Sequence, residues 1–320
     1  MFLYPYMNLF IMSLLTSTIM ALSSSHWLMI WMSLEINMIS FIPLISSSSW
    51  GQEPEAALKY LLFQALGSSF ILLSSLHSGL SLSALLGLCI KLGLAPTHYW
   101  FPSVMKSLNW LSAVVLMTWQ KLAPMILLIS LFSAYKSILC FYGLISVLIG
   151  GVGGFSQSHM RPLLAYSSIG HMGWIISTAS FALPMSIFYF FIYVIISIAL
   201  ISNAAFSNIS SIFQSSKPIF PSLIILVIPC TLSLAGLPPF LGFFPKLFAI
   251  QSFSSTLMPL FLLLGSILNL SYYLNFFFCL FLSSNKSFWP HMTASPTYTP
   301  FITMVSVSPL PLLFLLTLMF

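Results

Sequence analysis

Apolar segments follow one another along almost the whole chain, separated only by short polar breaks. A helix needs about 20 mainly apolar residues to cross the hydrocarbon core of a bilayer. The candidate membrane spans lie near 7–22, 26–45, 57–77, 81–98, 110–132, 138–155, 163–181, 184–207, 220–252, 258–282 and 300–320. The pattern predicts an all-α, polytopic transmembrane bundle of about eleven helices, in a single domain over 1–320 with no soluble domain.

The scarcity of charge excludes a soluble fold. Of the 320 residues, 59% are hydrophobic and 4% are charged, whereas a soluble globular chain carries about 25% charged residues. Nine basic and three acidic side chains cannot coat a surface of this size, so we expect the lipid bilayer to surround the chain. The formal net charge of +6 does not indicate nucleic acid, because the cations are scattered singly with no basic run or basic helical face.

Motifs for redox, metal or nucleotide chemistry are missing from the sequence. The four cysteines, Cys89, Cys140, Cys230 and Cys279, form no CxxC pair, and we predict that they are small core residues. The GGVGG run at 150–154 lies inside an apolar segment and predicts close helix packing, not a phosphate loop. We therefore expect neither a cofactor nor a metal in this chain.

The first ten residues, MFLYPYMNLF, have no basic n-region and no Arg-rich amphipathic character. We therefore expect neither a typical secreted precursor nor a typical imported organelle precursor. Synthesis inside an organelle would need no presequence.

Two charged residues lie near the middle of predicted spans. Glu35 is about ten residues into 26–45, which is about 15 Å along a helix axis. Lys121 is in the middle of 110–132 with no acid near it in sequence. A charge at the centre of a membrane helix costs about 2.5–3.5 kcal/mol, so each needs a partner, water or a function. A buried lysine can also release and take up a proton.

Three lysines stand close to prolines in predicted helices. Lys91 precedes Pro96 by five residues, Lys121 precedes Pro124 by three, and Lys246 directly follows Pro245. Proline removes a backbone donor and opens the helical hydrogen-bond ladder, and transporters use such breaks at ion sites. For Lys91 and Lys246, which lie nearer the ends of their spans, a side chain that reaches to the interface is the competing interpretation.

Two further residues are weaker candidates. Lys59 follows Glu55 by four residues, the favourable order for a helical ion pair, and that local pair competes with a functional role. His171 lies in the middle of 163–181, where an imidazole can relay protons or simply be a hydrogen-bonded core residue. Together the charged groups favour a proton or cation pathway whose energy comes from elsewhere.

Six ordered stretches give the chain a resemblance to a known family. They are ALSSSHWLMIWMSLEINMISFIPLI (21–45), EAALKYLLFQA (55–65), KLGLAPTHYWFP (91–102), TWQKLAP (118–124), LLAYSSIGHMGW (163–174) and SLAGLPPFLGFFPK (233–246). In these motifs the sequence resembles the subunit 2 family of mitochondrial NADH:ubiquinone oxidoreductase, the respiratory complex I. Arg161 followed by Pro162, and Asn275, depart from that family's usual cations.

The resemblance implies an antiporter-like membrane-arm subunit that translocates protons across the mitochondrial inner membrane. It implies that Glu35, Lys91, Lys121 and Lys246 form the proton pathway, with less certain roles for Lys59 and His171. The enzyme is then the H⁺-translocating NADH:ubiquinone reductase, whose FMN, iron–sulfur clusters, NADH and ubiquinone belong to other subunits. The implied partners are the other membrane-arm subunits of complex I.

Three alternatives fit part of the sequence. A multi-subunit cation/proton antiporter without a redox partner shares the pattern of buried Glu and Lys. A purely structural membrane subunit would tolerate neutralisation of both Glu35 and Lys121. A haem-binding membrane enzyme would need two facing histidines in mid-span, and only His171 is clearly placed there.

Overall fold

The computed structural model describes residues 5–46, 52–76, 81–131, 135–207, 221–238, 240–253 and 257–284. Within these ranges the chain forms thirteen α-helices. They are α1 Pro5–Ser23, α2 Trp27–Ile45, α3 Glu53–Leu76, α4 Ser81–Leu92, α5 Trp100–Ser107, α6 Trp110–Met117, α7 Trp119–Leu131, α8 Lys136–Phe155, α9 Met160–Ala179, α10 Leu183–Ser207, α11 Pro221–Ala235, α12 Phe243–Ser252 and α13 Leu257–Ser284. The prediction of an all-α polytopic bundle is confirmed.

Six stretches of the described residues are long and apolar enough to cross a membrane. Large apolar side chains also cover the outer surface, such as Leu9 at 72% and Phe191 at 64% exposure. Such a surface is stable only against an apolar medium, because water would disfavour so much exposed hydrocarbon. The protein is therefore a multi-pass membrane protein. The predicted span 300–320 lies outside the described residues.

The helix predicted over 81–98 is shorter in the structure, and a helix that the hydropathy pattern missed follows it. α4 ends at Leu92 because Gly93 adopts a φ of +69°, a left-handed conformation that glycine tolerates. The Gly93 N–H donates to the carbonyl of Ile90, and the Leu94 N–H donates to the carbonyl of Cys89. This pair of bonds is a Schellman motif, which ends helices at glycine.

Two predicted spans are each divided into two helices. The span 110–132 is divided at Thr118, where a distorted turn (φ −112°, ψ −71°) separates α6 from α7. The span 220–252 breaks after Ala235 and resumes at Phe243, which confirms the interruption predicted from its prolines. Pro245 falls in the first turn of α12, where the missing N–H costs little.

The chain divides into two compact units, an N-terminal unit, Met1–Tyr142, and a C-terminal unit, Gly143–Phe320. In the N-terminal unit α3 packs against α2, α4 and α5, while α7 packs against α1, α4 and α6. α3 and α4 come close at a glycine pair, since a Cβ on Gly87 would lie 2.5 Å from the carbonyl oxygen of Gly67. That a single domain spans 1–320 stays a prediction.

The C-terminal unit is organised around α9. Every residue of α9 except Arg161 and Tyr166 is buried, and α10, α12 and α13 pack against it. The glycines of α8 allow α9 to approach closely, since a Cβ on Gly150 would lie 2.8 Å from the backbone nitrogen of Gly170. The interpretation of GGVGG as a helix-packing motif is confirmed.

Serine is frequent in these apolar helices because its hydroxyl can bond to its own helix. The hydroxyls of Ser33, Ser40 and Ser168 donate to the carbonyl oxygens three residues earlier, at 2.7, 2.8 and 2.7 Å. A hydroxyl bonded in this way needs no water. Serine therefore adds little polarity to a membrane helix, and the remaining polar side chains mark functional positions more clearly.

We expect Gly87→Ala to destabilise the N-terminal unit. The added methyl group would meet the Gly67 carbonyl oxygen at 2.5 Å and the Ile71 Cγ1 at 2.8 Å, so α3 and α4 must separate. Overpacking of this kind costs about 1–3 kcal/mol. Thermal unfolding of the detergent-solubilised protein measures the change, with Leu86→Ala on the exposed side of α4 as the control. An unchanged melting temperature for Gly87→Ala would contradict the tight crossing.

Candidate functional site

A small polar cavity lies inside the N-terminal unit, and we call it the lysine cavity. Its volume is about 10 Å³, which is close to the space that one water molecule needs. Its polar lining consists of Asn37, Tyr60, Gln64, Lys91, Gln120 and Lys121. Since α2, α3, α4 and α7 each contribute to this lining, the cavity depends on the packing of the whole unit.

Lys91 and Lys121 are brought together at this cavity. Both are buried, at 5% and 2% exposure, so neither ammonium reaches out of the unit along its own helix. The Nζ of Lys121 lies 4.5 Å from the centroid of the Phe101 ring, a cation–π arrangement that stabilises the charged form. Two predicted pathway residues from separate helices therefore line one small cavity.

Glu35 is the acid associated with this pair. Its carboxylate is half-buried on α2 and attracts the ammonium of Lys91 electrostatically. Its helix neighbours Leu34 and Asn37 line the lysine cavity. Glu35 thus lies beside the residues of α2 that line the cavity, within electrostatic range of Lys91.

Three uncharged side chains that sequence reasoning missed form a hydrogen-bonded chain at the cavity. The Tyr60 hydroxyl donates to Gln120 Oε1 at 3.2 Å, and Gln120 Nε2 donates to Asn37 Oδ1 at 3.0 Å. All three lie within motifs quoted above, each next to a charged residue or two positions from one. The sequence signal that could have found them is an amide or phenol side chain inside an apolar span. Unlike a serine hydroxyl, these three side chains do not bond to a carbonyl of their own helix, so they need partners on other helices.

Lys59 does not line the lysine cavity. Its side chain is 44% exposed and its Nζ lies 2.6 Å from Glu55 Oε1. The local helical ion pair expected from their spacing is therefore confirmed. Its neighbour Tyr60, in contrast, lines the cavity.

In the C-terminal unit, Lys246 sits at the interruption between α11 and α12. Its Nζ donates to the carbonyl oxygen of Ala235, the last residue of α11, at 2.6 Å. The C-terminal end of a helix carries partial negative charge, so an ammonium there is stabilised. Gly236 has a φ of +81° and lies directly beneath the ammonium, where a Cβ would be 2.7 Å from Nζ.

His171 lies in the buried face of α9 against α10. Its Nδ1 is 3.1 Å from the Tyr189 hydroxyl, and its ring centroid is 5.4 Å from that of Tyr193. Histidine and tyrosine can exchange a proton across such a bond. The same contact equally suits a hydrogen-bonded core histidine, the alternative expected from sequence.

Cysteine and metal chemistry have little support in the described part of the chain. Cys89, Cys140 and Cys230 are buried and Cys279 is partly buried, each as a free thiol. Among the residues that the structure describes, no group of three or more His, Cys, Asp or Glu could hold a metal ion. The prediction that the cysteines are small core residues is confirmed for the three buried ones.

Buried lysines at helix interruptions inside a membrane bundle define an antiporter-like membrane protein. The family described as "NADH:quinone oxidoreductase/Mrp antiporter, TM" matches residues 24–80 and 74–271. The chain belongs to this family and, within it, to the NADH-ubiquinone oxidoreductase chain 2 group. The relative from Lumbricus terrestris is 40% identical over 286 residues, or 85% of each chain. The relative from Xenopus laevis is 38% identical over 314 residues, covering 89% of this chain and 90% of that one.

Solved structures share the fold. A chain of "Respiratory complex I from Thermus thermophilus with bound Aureothin" matches with a TM-score of 0.79 and 23% identity, covering 94% of this chain and 75% of that chain. A chain of the "Mrp complex from Dietzia sp. DQ12-45-1b" matches with a TM-score of 0.72 and 17% identity, covering 91% of this chain and 62% of that chain. The antiporter-like fold expected from the sequence is confirmed.

We expect Gly236→Ala to weaken the C-terminal unit in a way that depends on Lys246. The added Cβ must occupy a left-handed backbone conformation, which costs about 1–3 kcal/mol, and it also displaces the ammonium from the Ala235 carbonyl. Thermal unfolding of single and double variants separates the two costs. In a Lys246→Ala background the substitution should cost less, and an equal cost in both backgrounds would place the ammonium elsewhere.

Proposed function

We propose that this chain is a proton-translocating core subunit of the membrane arm of respiratory complex I, in the mitochondrial inner membrane. The relatives bear the name NADH-ubiquinone oxidoreductase chain 2, and the family covers most of the described helices. The enzyme would be the H⁺-translocating NADH:ubiquinone reductase. Its other membrane-arm subunits and the lipid bilayer would be the partners of this chain.

One observation carries the proposal at the level of chemistry. Lys91 and Lys121, from two different helices, line one small cavity of about 10 Å³, and Glu35 attracts the ammonium of Lys91. A buried ammonium is stabilised by few interactions because it is removed from water. A change in one neighbouring charge therefore alters the proton affinity of the lysine. A chain of such groups can move a proton when a charge arrives or leaves at one end.

The proposed sequence of events begins outside this chain. Oxidation of NADH and reduction of ubiquinone in other subunits change the charge near Glu35, so that its attraction for Lys91 strengthens or weakens. The altered charge at Lys91 changes the proton affinity of Lys121 across the lysine cavity. The proton released from Lys121 leaves by way of Lys246, whose charged form is stabilised by the end of α11.

The redox groups of the reaction are assigned to other subunits. The sequence has neither the cysteine spacing of an iron–sulfur site nor a glycine-rich phosphate loop, and the resemblance to the complex I family assigns FMN, NADH and ubiquinone to other subunits. The chain would contribute only proton-exchanging side chains. His171, bonded to Tyr189, is a further candidate for proton exchange, and Lys59 a weaker one because its charge is paired with Glu55.

We expect Lys121→Met to uncouple proton transfer in this subunit from NADH oxidation. Methionine preserves most of the apolar stem and removes the exchangeable proton, and loss of a proton-transferring side chain slows its step by about 100-fold or more. The measurement is the number of protons pumped per NADH oxidised by the assembled enzyme in proteoliposomes. Lys136→Met, at an exposed lysine at the start of α8, is the matched control.

The result separates this function from its alternatives. Unchanged pumping by an assembled Lys121→Met enzyme would remove the relay role and favour a structural subunit. Co-migration of the chain with NADH dehydrogenase activity on a native gel would support complex I. A complex that contains the chain but lacks redox activity would favour a cation/proton antiporter, and a haem absorption band in the purified chain would favour a redox enzyme.

A further inference from the structure

The α3 helix presents one polar face to the lysine cavity. Tyr60 and Gln64 are four residues apart, which places them one above the other on the same side of the helix. They are 1% and 5% exposed and both line the cavity. Lys59, the charged residue of the same motif, is on the exposed side. The contribution of α3 to the cavity is therefore made by uncharged side chains.

Gln64 holds the backbone of Lys91 in position. Its Nε2 donates to the carbonyl oxygen of Lys91 at 3.3 Å. The last carbonyls of a helix have no partner within it, and the Schellman turn at Gly93 serves only those of Cys89 and Ile90. Gln64 thus caps α4 at the residue that carries the ammonium.

The close approach of α3 and α4 at Gly67 also holds Lys91 in place. A Cβ on Gly67 would lie 3.1 Å from Lys91 Cγ, so the lysine stem packs directly on the α3 backbone. Gln64 and Gly67 are three residues apart and lie on the same face of α3. This face of α3 therefore holds both the backbone and the aliphatic chain of Lys91 in position.

Tyr60 acts on the second lysine through Gln120. Its hydroxyl bonds to Gln120 Oε1, and Gln120 directly precedes Lys121 in α7. Pro124 has no N–H, so it cannot give the Gln120 carbonyl its usual helical hydrogen bond. The bond from Tyr60, together with the bond from Gln120 to Asn37, holds the helix where its own ladder is weakened.

Tyr60 is itself held in place by aromatic neighbours. Its ring packs edge-on against Phe41 at 5.2 Å and Trp100 at 5.9 Å between centroids. The Trp100 Nε1 donates to the carbonyl oxygen of Ile90 at 3.0 Å, which connects this aromatic group to the end of α4. The phenol therefore has a fixed position relative to both lysine-bearing helices.

We propose that Tyr60 and Gln64 are positioning residues that hold Lys91 and Lys121 at a fixed separation across the lysine cavity. Proton transfer requires donor and acceptor within hydrogen-bond reach directly or through one water, and the cavity has room for about one water. A displacement of either lysine would change the separation between the two ammonium groups. The inference rests on the proposed function, because it assumes that a proton passes between the two lysines.

The test is the number of protons pumped per NADH oxidised, measured for enzyme whose assembly is verified by native gel. Tyr60→Phe removes one hydroxyl and keeps the ring, and Gln64→Leu removes the cap on Lys91 at similar volume. Tyr99→Phe removes a hydroxyl from a tyrosine that is 73% exposed and serves as the matched control. We expect both cavity variants to lose about half or more of the pumping that Lys121→Met loses, because misplacement by about 1 Å can slow a reaction about 100-fold.

A double variant distinguishes positioning from a general structural effect. If Tyr60 acts through Lys121, Tyr60→Phe causes no further loss of pumping in a Lys121→Met background. A wild-type ratio for Tyr60→Phe and Gln64→Leu, alongside a reduced ratio for Lys121→Met, overturns the inference and leaves the proposed function intact. Additive losses, or failure of both single variants to assemble, also overturn it. A wild-type ratio for Lys121→Met overturns the proposed function itself.

Discussion

Two helices, α4 and α11, end inside the protein, where water cannot bond to their last carbonyl groups. Buried donors must therefore satisfy these carbonyls. An unsatisfied backbone group in hydrocarbon costs several kcal/mol. At the end of α4 the donors are the Trp100 indole and the Gln64 amide, and at the end of α11 the donor is the Lys246 ammonium. The residues that complete the backbone thus also line the lysine cavity, as Gln64 and Trp100 do, or carry a buried ammonium, as Lys246 does. On the proposed function, stability and proton transfer would depend on one set of contacts.

Much of the fold follows from hydropathy and breaker residues alone. Charge scarcity required a membrane environment, and the prolines in 220–252 predicted the interruption between α11 and α12. Hydropathy could not find the end of α4 at Leu92, because apolar residues continue beyond it and the turn depends on the positive φ of Gly93. The short helix α5 was also missed. An eight-residue helix depends on tertiary packing and not on the membrane thickness, so the search for membrane spans could not find it.

The charged residues of the candidate site were predictable from the sequence, and its uncharged residues were not. Glu35, Lys91 and Lys121 stand out in an apolar sequence because an isolated charge there demands a reason. The arrangement of Lys91 and Lys121 around one cavity is a tertiary property that no spacing within a single helix encodes. Tyr60 and Gln120 were missed because a phenol or an amide in a membrane helix can be satisfied in many ways, and only the packed structure identifies the partner.

The size of the lysine cavity bears on which ions this unit can accommodate. A metal cation that leaves bulk water must keep part of its hydration shell or exchange it for several oxygen ligands. A space of about 10 Å³ leaves no room for a cation with retained waters, and two lysines in its lining oppose a further positive charge. A proton has neither requirement, since it moves by the exchange of covalent and hydrogen bonds. If a proton passes between the two lysines as proposed, the dimensions and charge of the cavity would favour it over sodium or potassium.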